Sequence, residues 1–307
     1  MISLKQITYV LAVEKTLHFK KAAELCSVSQ SALSTAVAEM EKQLGLLIFE
    51  RDNKKVLITP FGEQCLEKAR KIKIQMDDLY QFGQALQSPL SYPMSLGIIP
   101  TIGPYLLPSV LPAVRKKYPD FRLRIIEEQS RVLVQKVKNG ELDTAILALP
   151  YNIEGLLAFE FWQEDFYWVA HRDDALDMQK EITSAELKQA RLMLLKDGHC
   201  LKDHALAACK LPSSETDSSL ASTSLNTLVQ MVAGRLGTTL VPAMALGQLL
   251  SGNSELKALH LNEPGPHRKI AFIVRANYPG VKNIELLIEL MRKQLANNTK
   301  SGMLIST

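Results

Sequence analysis

Two cysteines, Cys200 and Cys209, stand in a polar stretch that reads Lys196-Asp197-Gly198-His199-Cys200-Leu201-Lys202-Asp203 before the second thiol. A packing cysteine sits among apolar residues and is inert. Cys200 is flanked instead by His199, Lys202, Asp203 and His204, and cationic neighbours favour the thiolate, the reactive form. With Leu201 to Cys209 read as helix, nine steps of about 100° place the two thiols on opposite faces, about 13 Å apart along the axis. A disulfide requires Cα atoms within about 7 Å. This spacing suits a reversible switch that closes only after local refolding, not a structural staple. The alternative chemistry is a metal site drawn from His199, Cys200, His204 and Cys209. Cys200 and His204 share a helical face, but Cys209 points away and the spacing matches no usual zinc pattern.

The elements around this pair begin with a compact N-terminal module. Ser3 and Gln6 form a capping box for a first helix running to about Lys15. Lys20 to Leu25 forms a second short helix, and Cys26-Ser27-Val28 a tight connection that makes Cys26 a packing residue. Ser29 caps a third helix to about Leu44, stopped by Gly45. Leu33, Val37, Met40 and Leu44 recur at helical spacing and face inward. Ser31, Ser34, Thr35 and Ala38 occupy the other face, with Gln30 at its exposed start. Phe49 to Thr59 reads as two strands around Asp52-Asn53, with Arg51, Lys54 and Lys55 at the tip. Helix, turn, helix and basic hairpin together make a winged helix-turn-helix, a double-stranded DNA-binding shape.

From Pro60 to about Gln87 the chain reads as one long helix. Cys65, Ala69, Ile72, Met76, Leu79 and Leu86 follow alternating three- and four-residue steps, the pattern of a dimer seam, with Cys65 as packing. The other reading is a helix packed on its own domain. Ser88-Pro89 and Tyr92-Pro93 form a hinge. Strands are then expected at Met94–Ile99, Leu123–Glu127, Ala145–Leu149 and Leu192–Leu195, with helices at Ile102–Lys117 and Ser130–Asn139 between the first three. This is the rhythm of a parallel sheet with helix cover. A second α/β unit runs from about Phe166 to His267, and Ile270–Val274 returns to the first.

Composition excludes several classes. The chain has 307 residues, 47% hydrophobic and 22% charged, and a net charge of 36 − 32 = +4, so it reads as soluble and globular and its total charge alone does not argue for nucleic acid. Four cysteines are too few for a disulfide framework, which points to a reducing, cytoplasmic setting. No apolar stretch is long enough to span a bilayer, and the N-terminus lacks a signal-peptide layout. No membrane partner and no cofactor are expected.

The N-terminal residues carry a resemblance. Phe19-Lys20-Lys21-Ala22-Ala23-Glu24, Val28-Ser29-Gln30-Ser31-Ala32-Leu33-Ser34, the run from Glu41 through Leu44-Gly45 to Phe49 and Arg51, and Thr59-Pro60 with Gly62 resemble the LysR-type regulator signature. That family often has proline where Ser31 stands and alanine where Pro60 stands, and both replacements suit the first turn of a helix. Ile99-Pro100-Thr101-Ile102-Gly103-Pro104-Tyr105-Leu106-Leu107-Pro108 and the Lys196–Asp203 segment with Cys209 are similar to the peroxide-sensing members of that family.

The resemblance implies an α/β architecture of three parts. These are a winged helix-turn-helix over residues 1–62, a linker and dimerisation helix with hinge over 63–89, and a two-lobed, periplasmic-binding-protein-like sensor domain over 90–307. Lobe I comprises 90–164 and 269–307, lobe II 165–268. The implied function is not enzymatic: a transcription activator that senses hydrogen peroxide through a reversible Cys200–Cys209 disulfide and controls antioxidant-defence genes. Cys200 would be the peroxidatic thiol and Cys209 the resolving one. Thr101, His199, Asp203 and Arg268 would line the peroxide pocket, with Ser130 where the family usually carries threonine. Implied partners are promoter DNA, peroxide, a second copy and a tetramer, RNA polymerase, and cellular thiol reductants. Two alternatives stand beside this. One is a regulator that binds a small metabolite between its lobes; the other is a thiol peroxidase, against which the DNA-binding module argues.

The third helix has no arginine between Ser29 and Leu44, so bidentate Arg–guanine readout from its face is absent. Gln30 is suited to adenine, and Arg51, Lys54 and Lys55 to phosphates. Extended, A·T-leaning sites with much shape readout are expected. Lys54→Ala with Lys55→Ala is expected to weaken binding on every sequence and to lower the salt slope by about 2 in a gel-shift titration. An unchanged slope would remove the wing from the interface.

Overall fold

The computed structural model describes residues 1–52, 55–85, 89–175, 181–187, 190–211, 222 and 224–300. It divides into two compact units, residues 1–83 and 84–307.

In the first unit, helices α1 (Leu4–Thr16), α2 (Phe19–Leu25) and α3 (Gln30–Leu44) precede a hairpin of β1 (Phe49–Asp52) and β2 (Lys55–Ile58), and α4 (Pro60–Ala85) follows. The caps read from the sequence are present. Gln6 N donates to Ser3 Oγ and Ser3 N to Gln6 Oε1, Ser29 Oγ accepts from Ala32 N, and Gly45 ends α3 at φ +68°. The core gathers Val10, Val13, Ala22, Leu33, Val37, Met40, Ile48 and Leu66.

Glu41 was not marked as an inward residue, yet it is buried. Its Oε1 accepts from the backbone amides of Ile48 and Phe49 at 2.8 and 3.0 Å. That satisfies a carboxylate in the core and fixes where the wing starts. Gly62 is required here because a Cβ would lie 2.2 Å from Ile48 O.

Arg51 is not at the wing tip. It lies in β1, donates to Ser34 Oγ at 2.8 Å and stacks over the Phe19 ring at 4.1 Å. It ties the wing to α3, and Ser34 is engaged in the same bond. Gln30, Ser31 and Thr35 are exposed, Ser31 Oγ lies 3.1 Å from Ser29 Oγ, and Lys54 falls outside the described residues. Along α4, Leu66 and Ala69 are buried in this unit and Cys65 packs against the same core, while Ile72 and Leu79 are exposed. The proposed seam therefore divides between a packed start and an apolar, exposed continuation. Leu86 lies outside the described residues.

The second unit contains β3 (Met94–Ile98), α5 (Gly103–Lys117), β4 (Leu123–Glu127), α6 (Ser130–Lys138), β5 (Thr144–Leu149), β6 (Leu156–Glu164) and β7 (Phe166–His171). There follow β8 (Glu181–Ile182), α7 (Ser184–Leu187), α8 (Cys200–Cys209), α9 (Leu225–Ala233), β9 (Thr239–Pro242), α10 (Ala243–Leu250), β10 (Leu256–Leu261), β11 (Arg268–Arg275) and α11 (Val281–Lys300). One sheet has the order β4-β3-β5-β11-β6 and the other β8-β10-β7-β9. In the first, β3, β4 and β5 run parallel, as their alternation with helices requires, and β11 is antiparallel to both neighbours. The second is mostly antiparallel. The expected strand at Leu192–Leu195 is absent; that segment makes only isolated bridges, Leu192 to Thr238 and Leu195 to Ser222.

The chain passes between the sheets twice at one place, where Glu164 ends β6 and Arg268 begins β11. These two residues pair in register. Arg268, placed at the end of lobe II from sequence, thus belongs to the lobe I sheet. Its side chain is 0% exposed and that of Glu164 2%, with Nη2 to Oε1 at 2.7 Å. Removing one partner of a buried pair leaves an uncompensated charge and costs about 3–5 kcal/mol, whereas removing both costs far less. Glu164→Gln is therefore expected to destabilise this unit by about 3 kcal/mol, and Glu164→Gln with Arg268→Met to recover most of that loss. Both tryptophans, Trp162 and Trp168, lie in this unit, so urea unfolding followed by their fluorescence reads the difference. Losses that simply add would contradict the pairing.

Candidate functional site

Cys200 is the first residue of α8 and is 4% exposed. The turn before it depends on Gly198 at φ +95°, where a Cβ would meet Gln129 Oε1 at 2.7 Å. His199 occupies the N-cap position without a side-chain cap bond. This turn sets the sulfur against the lobe I sheet and the start of α6.

Burial pushes the Cys200 thiol above its ordinary value. The Ser130 hydroxyl, the Arg268 charge and the Ala148 backbone amide pull it back in part, and Asp203 pushes it up. The polar neighbours in sequence do not supply the expected thiolate. His199 is held below its ordinary value by burial and stays neutral at pH 7, Lys202 is paired with Asp197 at 2.7 Å, and Asp203 is exposed. Asp203, though exposed, acts on Cys200 through its charge. The cation that faces Cys200 is Arg268, from a strand far along the chain.

Arg268 donates through all three of its nitrogens. Its Nε donates to Glu164 Oε1 at 2.7 Å, its Nη1 to Thr101 Oγ1 at 3.2 Å and its Nη2 to Thr101 O at 3.1 Å. Glu164 Oε2 accepts from Met244 N at 2.7 Å. Thr101 is buried and serves the arginine; the residue at the helix N-cap position is Ile102, which makes no side-chain cap bond. Ser130 is 1% exposed. Its hydroxyl faces the Cys200 sulfur, toward which it acts as a hydrogen-bond donor, and it has no other partner. A buried hydroxyl whose one neighbour is a thiol can turn to a small polar molecule that reaches the sulfur.

Thr101, Ser130 and Arg268 thus surround or support Cys200, His199 precedes it at the N-cap, and the exposed Asp203 reaches it through its charge. Glu164 was missed. Its only sequence signal was a carboxylate at the end of an apolar strand, since its partner lies 104 positions away.

Cys209 closes the other end of α8 and is 1% exposed. Burial, with Glu263 adding, pushes its thiol up to about 12. Both cysteines are free thiols. A ten-residue helix separates them by about 13 Å along its axis. Neither proximity nor thiolate content lets Cys209 react in place. Among the described residues, no group of three or more His, Cys, Asp or Glu is arranged to hold a metal. No helix among them is long and apolar enough to cross a membrane.

The bacterial regulatory helix-turn-helix family of lysR type matches residues 4–63, and the LysR substrate binding domain matches residues 87–296. The HTH-type transcriptional regulator EstR of Acinetobacter baylyi is 36% identical over 292 residues, covering 95% of this chain and 96% of that protein. The hydrogen peroxide-inducible genes activator of Dickeya chrysanthemi is 31% identical over 296 residues, covering 96% of each. The solved structure of a full-length OxyR variant from Pseudomonas aeruginosa superposes with a TM-score of 0.79 at 33% identity, covering 95% of each chain. With both domain types matched in order along nearly the whole chain, this protein belongs to the LysR family of transcriptional regulators.

Proposed function

We propose that this regulator senses hydrogen peroxide through Cys200 and stores the signal as a Cys200–Cys209 disulfide. The observation that carries the reading is a buried thiol faced by the Ser130 hydroxyl and the Arg268 charge, with a second free thiol at the far end of the same short helix. The names of the relatives, a peroxide-inducible genes activator and OxyR, support it.

In the first step the Cys200 sulfur attacks one peroxide oxygen and the O–O bond breaks. Sulfenic acid forms and hydroxide leaves, taking up a proton to become water. A lowered thiol pKa would not explain selectivity. Moving a thiol from about 8.5 to about 6 raises thiolate at pH 7 only about thirtyfold, and toward every electrophile alike. Donors aimed at the departing hydroxide discriminate instead, because they act only as charge develops. In the second step the Cys209 sulfur attacks that of Cys200, the S–S bond forms and hydroxide leaves again. One peroxide is reduced and two thiols are oxidised. Cellular thiol reductants return the pair to its resting state.

The DNA-binding part spans residues 1–62 and presents Gln30, Ser31 and Thr35, while Ile72 and Leu79 on the 63–89 linker contribute to a dimer seam. A tetramer of two such pairs, whose geometry changes on oxidation and is read by RNA polymerase, completes the reading.

A second reading has a specific observation. A cavity of about 350 Å³ opens between the lobes, lined by Thr101, Tyr105, Glu127, Ser224, Asn226 and Gln248 among others, and EstR is a differently named relative. In that reading a small metabolite fills the cavity and the cysteines are incidental.

The two separate on oxidant dependence. Peroxide is expected to shift the footprint of the full chain on its DNA and to yield a Cys200–Cys209 linked peptide by mass spectrometry. Cys200→Ser abolishes both, Cys209→Ser retains the sulfenate without the link, and Cys26→Ser and Cys65→Ser respond as wild type. A footprint shift that survives in Cys200→Ser would overturn the thiol switch and leave the metabolite reading in its place.

A further inference from the structure

The middle of α8 holds a buried group that the switch chemistry does not use. His204 is one turn beyond Cys200 on the same helix face and is 3% exposed. Its Nε2 lies 2.8 Å from the carbonyl oxygen of Pro150, just past β5. A carbonyl only accepts, so Nε2 carries the proton and donates. Nδ1 is buried without a partner. Burial, followed by the Arg268 charge, holds this imidazole below its ordinary value against the opposing effects of the Pro150 bond and Asp203, so it is neutral at pH 7.

At the helix start the Cys200 thiol meets Ser130 and Ala148, and the other polar side-chain ties of this segment, among the described residues, differ in kind. Lys202 turns back to Asp197 on the preceding turn, and Lys210, just past the helix, reaches Glu263. Neither holds the middle of α8 to lobe I. The His204–Pro150 bond does, and it falls within the segment that must unwind before the two cysteines can meet.

We propose that His204 is a latch: a positioning residue whose bond to Pro150 holds α8 in its reduced, helical form and must break before Cys209 can reach Cys200. This rests on the thiol-switch reading. The latch acts on the second step alone, in which the Cys209 sulfur displaces hydroxide from the Cys200 sulfenic acid. The first step occurs at the docked N-terminus of α8 and does not need the bond to break. Pro150 is itself exposed, so its carbonyl can turn to water when the histidine is removed. The loss is then one net hydrogen bond, an effect of about fivefold on the opening equilibrium.

The test uses the reduced full chain as wild type, His204→Leu and His204→Gln. Leucine keeps apolar bulk without a donor; glutamine keeps a neutral donor. After mixing with hydrogen peroxide, mass spectrometry follows the dimedone-trapped sulfenic acid and the Cys200–Cys209 link separately. Hydrogen exchange of the amides from residue 201 to 209 is measured without peroxide. The expected result is that His204→Leu forms sulfenic acid within twofold of the wild-type rate, while both disulfide closure and amide exchange quicken about fivefold. His204→Gln is expected to restore wild-type values for both. Wild-type closure and exchange in His204→Leu would overturn the latch, as would a His204→Gln that behaves like His204→Leu. A wild type that never links its two cysteines overturns the switch reading instead. The exchange comparison tells the two failures apart, because it reads the tie in the reduced protein without any oxidant.

Discussion

The buried ion pair of Arg268 and Glu164 is the constraint on which the second unit depends. A guanidinium and a carboxylate without water each cost several kcal/mol unless every donor and acceptor finds a partner. Here Arg268 donates to both Glu164 and Thr101, and Glu164 accepts in addition from the Met244 amide. Three distant pieces of chain are thereby fixed at one point: the loop after β3, the crossover after β6 and the start of α10. The chain crosses between sheets at this point, so the pair joins the lobes as well as their loops.

The same pair decides what Cys200 experiences. A lone buried arginine beside a thiol would draw it strongly toward thiolate. With Glu164 bound at 2.7 Å, much of that field is cancelled, and burial prevails. The resting thiol is therefore quiet. In the proposed reading, reactivity arises when a small polar molecule reaches the sulfur and takes up the donors around it, of which the Ser130 hydroxyl is one. Cys209 is restrained by the same physics, with burial and Glu263 acting together. A switch of the proposed kind would resist stray electrophiles twice, first at the sulfur and again at closure.

The sequence was legible where the signals are local. Ser3 with Gln6, Ser29 and Gly45 are read within a single turn of helix, and each acts as expected. The strands β3 and β5 are largely apolar runs, β4 carries Arg124 and Glu127 among its apolar residues, helices separate them, and their bounds fall within a residue of expectation. What was not legible depends on partners far along the chain. Glu41 and Glu164 look like ordinary carboxylates until their amide and guanidinium partners are in place. Arg51 belongs to a hairpin by sequence but is claimed by Ser34 and Phe19 across the domain. The direction of strands in the second lobe is not encoded in apolar runs, so an antiparallel sheet was not visible there. Cys200 was misjudged for a related reason. Lys202 is taken up by Asp197 and Asp203 opposes the thiolate, while the groups that favour it are Ser130, Arg268 and Ala148. The constellation was found through the family resemblance; its electrostatics were not.

The central claim is that a buried, charge-compensated site holds Cys200 as a thiol at rest. The direct measurement is the rate of Cys200 alkylation by iodoacetamide in the reduced full chain as a function of pH, read at that peptide by mass spectrometry. A midpoint above about 8.5, the ordinary thiol value, is predicted. A midpoint near about 6, the range of thiols activated by neighbouring cations, would contradict it.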